Sequence, residues 1–287
     1  MSDVVIWARG RLLGPREPAV TAVDHGLTVG DGVFETCAVV DGQAFALTRH
    51  LARLARSAAG LGLPAPDEDE LRHAVGQVLR AAPSAGRLRV TYTGGPGPLG
   101  SDRHAPDEQR ATLVVLAGPA ARRRESHAIR SRWVRNERSP VAGLKTTSYA
   151  ENVVALAEAL ARGADEAVLA NTVGDLCEGT ASNVFVELGG ELLTPPLSSG
   201  CLAGITRELV LEWGAQSGLP VREAGPGELR HEVLDDVLAG RAHLALTGSI
   251  RNVTPVVELD GQPVPAGPLS VAARELFDRL AAERLDP

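Results

Sequence analysis

Between Val33 and Val40 the chain reads Val33-Phe34-Glu35-Thr36-Cys37-Ala38-Val39-Val40, an alternation that predicts a strand, and Asp41-Gly42 supplies a hairpin turn into residues 44–47. Residues 4–7 read as a further strand. From Leu47 the period changes. Leu51, Leu54, Ala58 and Leu61 recur at three- and four-residue steps, which predicts a helix, with Gly60, Gly62 and Pro64 as stop signals. A second helix is expected at about 69–81, then strands at 88–93 and 111–117. These elements make an α/β layer covering residues 1–118.

A turn-prone polar run, Gly118-Pro119-Ala120-Ala121-Arg122-Arg123-Arg124-Glu125, breaks the pattern and marks residues 119–130 as a linker. Residues 131–287 then form a second, larger unit. Helices are expected at 152–162, 205–214 and 269–280. Strands are expected at 166–170, 182–187, 191–194, 242–246 and 256–259, with Gly189-Gly190 as a hairpin turn. The fold class is α/β (α+β) in two domains. No internal repeat and no low-complexity tail is visible.

Composition narrows the function more than the fold. Hydrophobic residues make up 44% of the 287, enough for a buried core, and a net charge of −7 gives no electrostatic reason to expect nucleic acid or an anionic membrane. The start lacks a basic region followed by an apolar run, and no segment is long and apolar enough to span a bilayer. Cys37, Cys177 and Cys201 are odd in number and far apart, neither a disulfide framework nor a zinc pattern. The expectation is a reduced, cytoplasmic enzyme acting on small molecules. The seven histidines are scattered, with no HExxH or paired spacing, so no metal is expected.

Three segments hold polar chemistry where a bare scaffold needs none. Gly143-Leu144-Lys145-Thr146-Thr147-Ser148-Tyr149 places a lysine before a helix in a chain that otherwise uses arginine; a partly desolvated lysine can form a Schiff base and move a proton, which arginine cannot. Taken alone, it could equally be a solvated lysine. Glu178-Gly179-Thr180-Ala181-Ser182-Asn183 puts an acid before a strand, where it could hold a heteroaromatic nitrogen protonated, or simply serve a turn. Gly204-Ile205-Thr206-Arg207 and Leu246-Thr247-Gly248-Ser249 place amides and hydroxyls at element ends, suited to phosphate or to ordinary capping. The GxGxxG match at residues 95–100 contains two prolines and no helix follows it, so it reads as a mobile substrate loop rather than a dinucleotide site.

In order and spacing these segments resemble the class IV aminotransferases, also called fold-type IV pyridoxal-phosphate enzymes. The resemblance runs from Asp24-His25-Gly26 through Gly30-Asp31-Gly32-Val33-Phe34-Glu35, His50-Leu51-Ala52-Arg53-Leu54, the Lys145 and Glu178 segments and Gly204-Ile205-Thr206-Arg207 to Val253-Thr254-Pro255. It implies a small N-terminal α/β domain and a larger C-terminal α/β pseudo-barrel with pyridoxal 5′-phosphate between them. Lys145 would carry the cofactor as a Schiff base and move the substrate proton. Glu178 would pair with the pyridine nitrogen. Arg53, Ile205, Thr206 and Ser249 would hold the phosphate, with Tyr149 in a supporting role. Without the resemblance, Arg49, Arg53 and Arg56 read as a solvated basic stripe. A homodimer is implied as well.

The resemblance covers transaminases of D-amino acids, branched-chain amino acids and (R)-amines, working on an amino donor and a keto acid acceptor. It also covers 4-amino-4-deoxychorismate lyase, which is the alternative; a non-catalytic binding module is a remote third. In the D-amino-acid branch a basic residue follows the Val-Phe-Glu strand and an Arg-x-His pair lies in the next loop, where this chain has Ala38 and then Pro98 and Gly100. Phe34, Thr36 and Ala38 are therefore candidate substrate contacts. The branched-chain branch receives the α-carboxylate on a small turn, here Ser249-Ile250-Arg251-Asn252, and Arg251 with the Ile250 amide is the expected carboxylate site.

Overall fold

The structure, a computed structural model, describes residues 4–14 and 16–287; the reading of the extreme N-terminus rests partly on residues 1–3, which lie outside the described residues. The chain divides into two compact units. The first comprises residues 1–121, 144–149 and 284–287, and the second 122–143 and 150–283.

The first unit contains β1 (Val5–Ala8), β2 (Arg11–Leu13), α1 (His25–Thr28), β3 (Gly32–Val40), β4 (Gln43–Ala44), α2 (Leu47–Leu61), α3 (Glu68–Ala81), β5 (Arg87–Thr93) and β6 (Thr112–Gly118). The strands form one antiparallel sheet in the order β2-β1-β6-β5-β3-β4. The predicted periodicities appear directly in its core, where Leu51, Leu54 and Ala58 of α2 and Leu71, Val75 and Val78 of α3 pack with Val33, Leu88, Val90 and Val115. Each such large side chain removed from water contributes about 1.5–3 kcal/mol. Asp67 caps α3 by accepting from the Asp69 and Glu70 amides. Gly62 ends α2 at φ 72°, as its stop signal predicts, but Gly60 lies inside the helix. A Cβ there would stand 2.8 Å from the Leu144 side chain, so Gly60 permits the segment before Lys145 to approach.

The second unit contains β7 (Ser126–Arg135), α4 (Ala150–Ala161), β8 (Glu166–Asn171), β9 (Leu176–Gly179), β10 (Asn183–Leu188), β11 (Glu191–Thr194), α5 (Ile205–Gln216), β12 (Val221–Glu223), α6 (Val233–Leu238), β13 (His243–Gly248), β14 (Asn252–Leu259), β15 (Gln262–Pro263) and α7 (Pro268–Glu283). Its mixed sheet runs β12-β11-β10-β13-β14-β7-β8-β9, with β15 beside β14. Edge strand β9 returns through residues 180–182 to β10, near the opposite end of that order, and Gly179 N–H donates to the Ser182 carbonyl at 2.8 Å. So short a link requires the sheet to curl on itself, as the expected pseudo-barrel does. Val168, Leu176, Val184, Leu244, Leu246 and Val256 lie among its buried side chains.

Two local expectations change. β7 begins inside the segment expected as linker, and β14 begins before Pro255 rather than after it. Among the described residues no helix is long and apolar enough to cross a membrane.

Candidate active site

Lys145 is the single lysine of the chain. Its segment follows the start of the second unit in sequence but packs with the first, for backbone reasons. Phe34 N–H donates to the Lys145 carbonyl at 3.0 Å, Thr147 N–H to the Gly32 carbonyl at 2.7 Å, and the Lys145 amide to Ser57 Oγ at 3.2 Å. This fastens Lys145 beside β3. Its Nζ donates to the Tyr149 hydroxyl at 3.2 Å and stands 4.5 Å from the Phe34 ring centroid; the Phe34 and Tyr149 rings meet edge to face at 5.0 Å. Among the described residues no carboxylate lies within ion-pair distance of Nζ, so the amine is held without being committed to a salt bridge.

Because side chains alternate along a strand, the two faces of β3 carry different chemistry. Phe34, Thr36 and Ala38 share one face, and Thr36 pairs in register with Arg89 of β5. Arg89 therefore joins this face. Its guanidinium lies 3.8 Å from the Phe34 centroid, and Nε donates to Thr91 Oγ1 at 3.3 Å. Burial pulls Arg89 below its ordinary pKa, partly offset by Tyr149. Among the described residues it has no carboxylate partner. The sequence reading missed Arg89, although the alternation Arg87-Leu88-Arg89-Val90-Thr91 opposite Thr36 carried the signal.

The other face of β3 presents Glu35 to α2. Glu35 accepts from Arg53 Nε and Nη2, both at 2.7 Å, and lies 2.6 Å from His50 Nδ1. All three are buried, so Arg53 does not belong to a solvated stripe. Burial alone would raise the Glu35 pKa, but Arg53 and His50 overcome this and hold it well below the carboxylate range. Burial pushes His50 below its usual value against the opposing pull of Glu35.

The loop at residues 95–100 is held at several points. His25 N–H donates to the Gly95 carbonyl at 2.9 Å, Gly97 N–H to the Val23 carbonyl at 3.0 Å, and His25 Nε2 lies 2.9 Å from the Pro98 carbonyl. These contacts tether both sides of the segment that the sequence suggests as a mobile substrate loop. Arg103, beyond it, makes a two-point ion pair with Asp31 at 2.5 and 2.7 Å.

In the second unit Glu178 is the penultimate residue of β9. Its Oε2 accepts from the Leu202 amide at 2.9 Å and its Oε1 from Arg135 Nε at 3.2 Å. α5 starts at Ile205 after Gly204, and no side chain caps it. Its first amides therefore point outward without a capping acceptor. A Cβ at Gly204 would fall 1.9 Å from Asn183 Oδ1, so glycine there lets the Asn183 side chain lie against the turn. Thr206 is buried, and Thr247, on the strand paired with Asn183, buries a hydroxyl that has no partner among the described residues. Ser249 and Ile250 lie in the turn from β13 to β14. Arg251 follows them, but its guanidinium is engaged by Glu166 at 2.9 Å and Ser126 at 3.0 Å rather than left open to a ligand.

These residues fit the parts of pyridoxal phosphate. An uncommitted lysine amine suits the aldehyde, a hydrogen-bonded carboxylate suits a protonated ring nitrogen, and an uncapped helix start with an orphan hydroxyl suits a phosphate.

Comparisons with known proteins agree with that chemistry. The sequence profile of the family described as amino-transferase class IV matches residues 32–259. A bifunctional aminodeoxychorismate lyase / D-amino acid transaminase of Mycobacterium tuberculosis is 30% identical over 302 residues, covering 96% of this chain and 98% of that protein. The crystal structure of a branched-chain aminotransferase from Thermoproteus uzoniensis with norvaline is 31% identical, covers 98% of this chain and 95% of its own, and superposes with a TM-score of 0.85. A hypothetical aminotransferase from M. tuberculosis in its pyridoxal-phosphate-bound form is 29% identical, with 98% and 100% coverage and a TM-score of 0.83.

Proposed function

The chain belongs to the class IV aminotransferase family, and from that premise we propose that it is a transaminase. It would move an amino group between a D-amino acid, a branched-chain amino acid or an (R)-amine and a 2-keto acid, by ping-pong half-reactions with pyridoxal 5′-phosphate on Lys145. The observation that carries this reading is the state of Lys145: the single lysine, part-buried, hydrogen-bonded to Tyr149 and without a carboxylate partner among the described residues.

When bound, the cofactor supplies an electron sink that stabilises negative charge at the substrate carbon. The chain's own residues do the rest. Lys145 Nζ, steadied by Tyr149, would hold the cofactor and would take and return the substrate proton. Glu178 holds the pyridine nitrogen protonated, its carboxylate fixed by the Leu202 amide and Arg135. The start of α5, Thr206, Ser249 and Thr247 receive the phosphate, together with the charge of Arg53. Phe34, Thr36 and Ala38 line the substrate side, and Arg89, rather than Arg251, meets a substrate carboxylate there with a charge-assisted contact.

Mixing the enzyme loaded with pyridoxal phosphate with D-alanine, L-leucine or (R)-1-phenylethylamine, without a keto acid, tests the reading. Loss of the visible band of the lysine-bound cofactor with at least one donor is expected. The M. tuberculosis bifunctional relative supports a second reading, the lyase. No loss of the band with any donor, together with 4-aminobenzoate formation from aminodeoxychorismate, would put the lyase first. A cytoplasmic homodimer is part of the proposal. Exposed Val153, Val154 and Leu160 on α4 suit burial against a second copy, and the three cysteines are buried and free.

A further inference from the structure

Arg251 occupies the turn between β13 and β14, yet its side chain reaches back across the sheet to β7 and β8. Nη2 donates to Glu166 Oε2 at 2.9 Å, Nη1 donates to Ser126 Oγ at 3.0 Å, and Asp165 Oδ1 lies 3.6 Å from Nη1. Glu166 has no exposed surface. It accepts from the Thr180 hydroxyl, from the Ala181 amide at 3.1 Å and from the Ser182 hydroxyl at 2.9 Å. Among the described residues Arg251 is its one cationic partner.

The three other donors form the turn that follows Glu178, so a single ion pair connects that turn to the one holding Ser249 and Ile250. The two approach closely. A Cβ on Gly248 would lie 3.4 Å from the Ala181 carbonyl oxygen and 3.6 Å from Arg251 Cγ. On the far side of Glu166, a Cβ on Gly179 would stand 2.3 Å from Ser182 Oγ and 3.0 Å from Glu166 Cγ. Glycine at 179 is what lets Ser182 and Glu166 meet.

We propose that Arg251 is a positioning residue. Through Glu166 it fixes the turn at 249–251 against the turn at 180–182, and so sets where the Ser249 hydroxyl and the Ile250 amide stand for the cofactor's phosphate. It does not bind substrate carboxylate. Swinging out to a substrate would leave Glu166 a buried carboxylate without its cation, beside Asp165, an arrangement that low polarity penalises heavily. This inference rests on the cofactor reading above.

The test uses R251A, R251K, E166Q and the double variant R251A/E166Q. Lysine keeps the charge but loses the fork that spans Ser126 and Glu166. Pyridoxal-phosphate affinity is titrated on the apoenzyme, and KM for a 2-keto acid and for an uncharged ketone is measured at saturating cofactor. R251A and E166Q should each weaken cofactor binding about tenfold, R251K less, and the double variant no more than the worse single one, as for two residues acting through one contact. KM for the two acceptors should change alike. A KM rise confined to the keto acid with unchanged cofactor affinity would overturn the proposal, as would additive losses in the double variant. If R251A does not fold, R251K and E166Q decide by the same two readouts. Wild-type protein that binds no pyridoxal phosphate would overturn the functional reading and this inference together. Wild-type binding with unaltered variants would overturn this inference alone.

Discussion

Arg53 and Glu35 face each other as a two-point ion pair sealed inside the first unit, both contacts at 2.7 Å, with Arg53 5% and Glu35 0% exposed. Arg53 stands on α2 and Glu35 on β3, so the pair aims an arginine from a rigid helix using a charge on a rigid strand. Removing one partner of such a pair costs more than the pair itself contributes, because the other charge stays buried. E35Q should therefore destabilise the protein by about 3–5 kcal/mol in urea unfolding and weaken pyridoxal-phosphate binding as Arg53 loses its fixed direction. A loss under about 1 kcal/mol would show that Glu35 does not hold Arg53.

The same cluster sets an acid limit. His50 is pushed below its ordinary value, so the unfolded chain takes up a proton there before the folded one does, and stability falls as pH drops below about 6.5. Glu35 is held low, so its contribution is present above its unfolded value and is lost as pH falls below about 4. Melting temperature measured against pH should decline in both windows. In H50N the decline that begins below about pH 6.5 should flatten while the lower one remains. An unchanged profile would remove His50 as the source.

Arg89 gives a prediction about substrate. A charge-assisted hydrogen bond to a substrate carboxylate contributes about 1.5–3 kcal/mol, so R89A should lower kcat/KM for a 2-keto acid about ten- to a hundred-fold. The half-reaction with an amine that lacks a carboxylate should change less than about threefold. Equal losses for both would mean that Arg89 acts by packing on Phe34 alone.

Gly204 is a test of the helix start. With Asn183 Oδ1 only 1.9 Å from where a Cβ would stand, G204A must displace either the Asn183 side chain, which donates to the Leu202 carbonyl at 2.7 Å, or the first turn of α5. Cofactor affinity should fall more than tenfold or so, with a smaller effect on KM at saturating cofactor. Retained affinity would argue against a phosphate at the start of α5.

Periodicity made much of this molecule legible in advance. Leu51, Leu54 and Ala58 marked α2 by their three- and four-residue steps, and the β-branched and aromatic run Val33–Val40 marked β3, although each also buries polar residues, His50, Arg53 and Ser57 on α2 and Glu35 on β3. β7 escaped because Arg130 and Arg132 interrupt its apolar run; the structure compensates by pairing Arg130 with Asp235 and Asp260. β9 has too few residues to show a period. Site chemistry was legible where a motif names it, as at Lys145 and Glu178. It was hidden where it depends on pairing between distant positions. Nothing in the local sequence joins Arg251 to Glu166, 85 residues away, or distinguishes Arg89 from a surface arginine until β5 is registered against Thr36.

The central claim is that Lys145 carries pyridoxal phosphate, and the chain makes the test unusually clean because it has one lysine. Protein incubated with pyridoxal phosphate, reduced with borohydride and digested should yield a single pyridoxyl-modified lysine peptide, containing residues 139–149, and K145A should yield none while remaining folded. Modification absent from the wild type, or retained in K145A, would contradict the account.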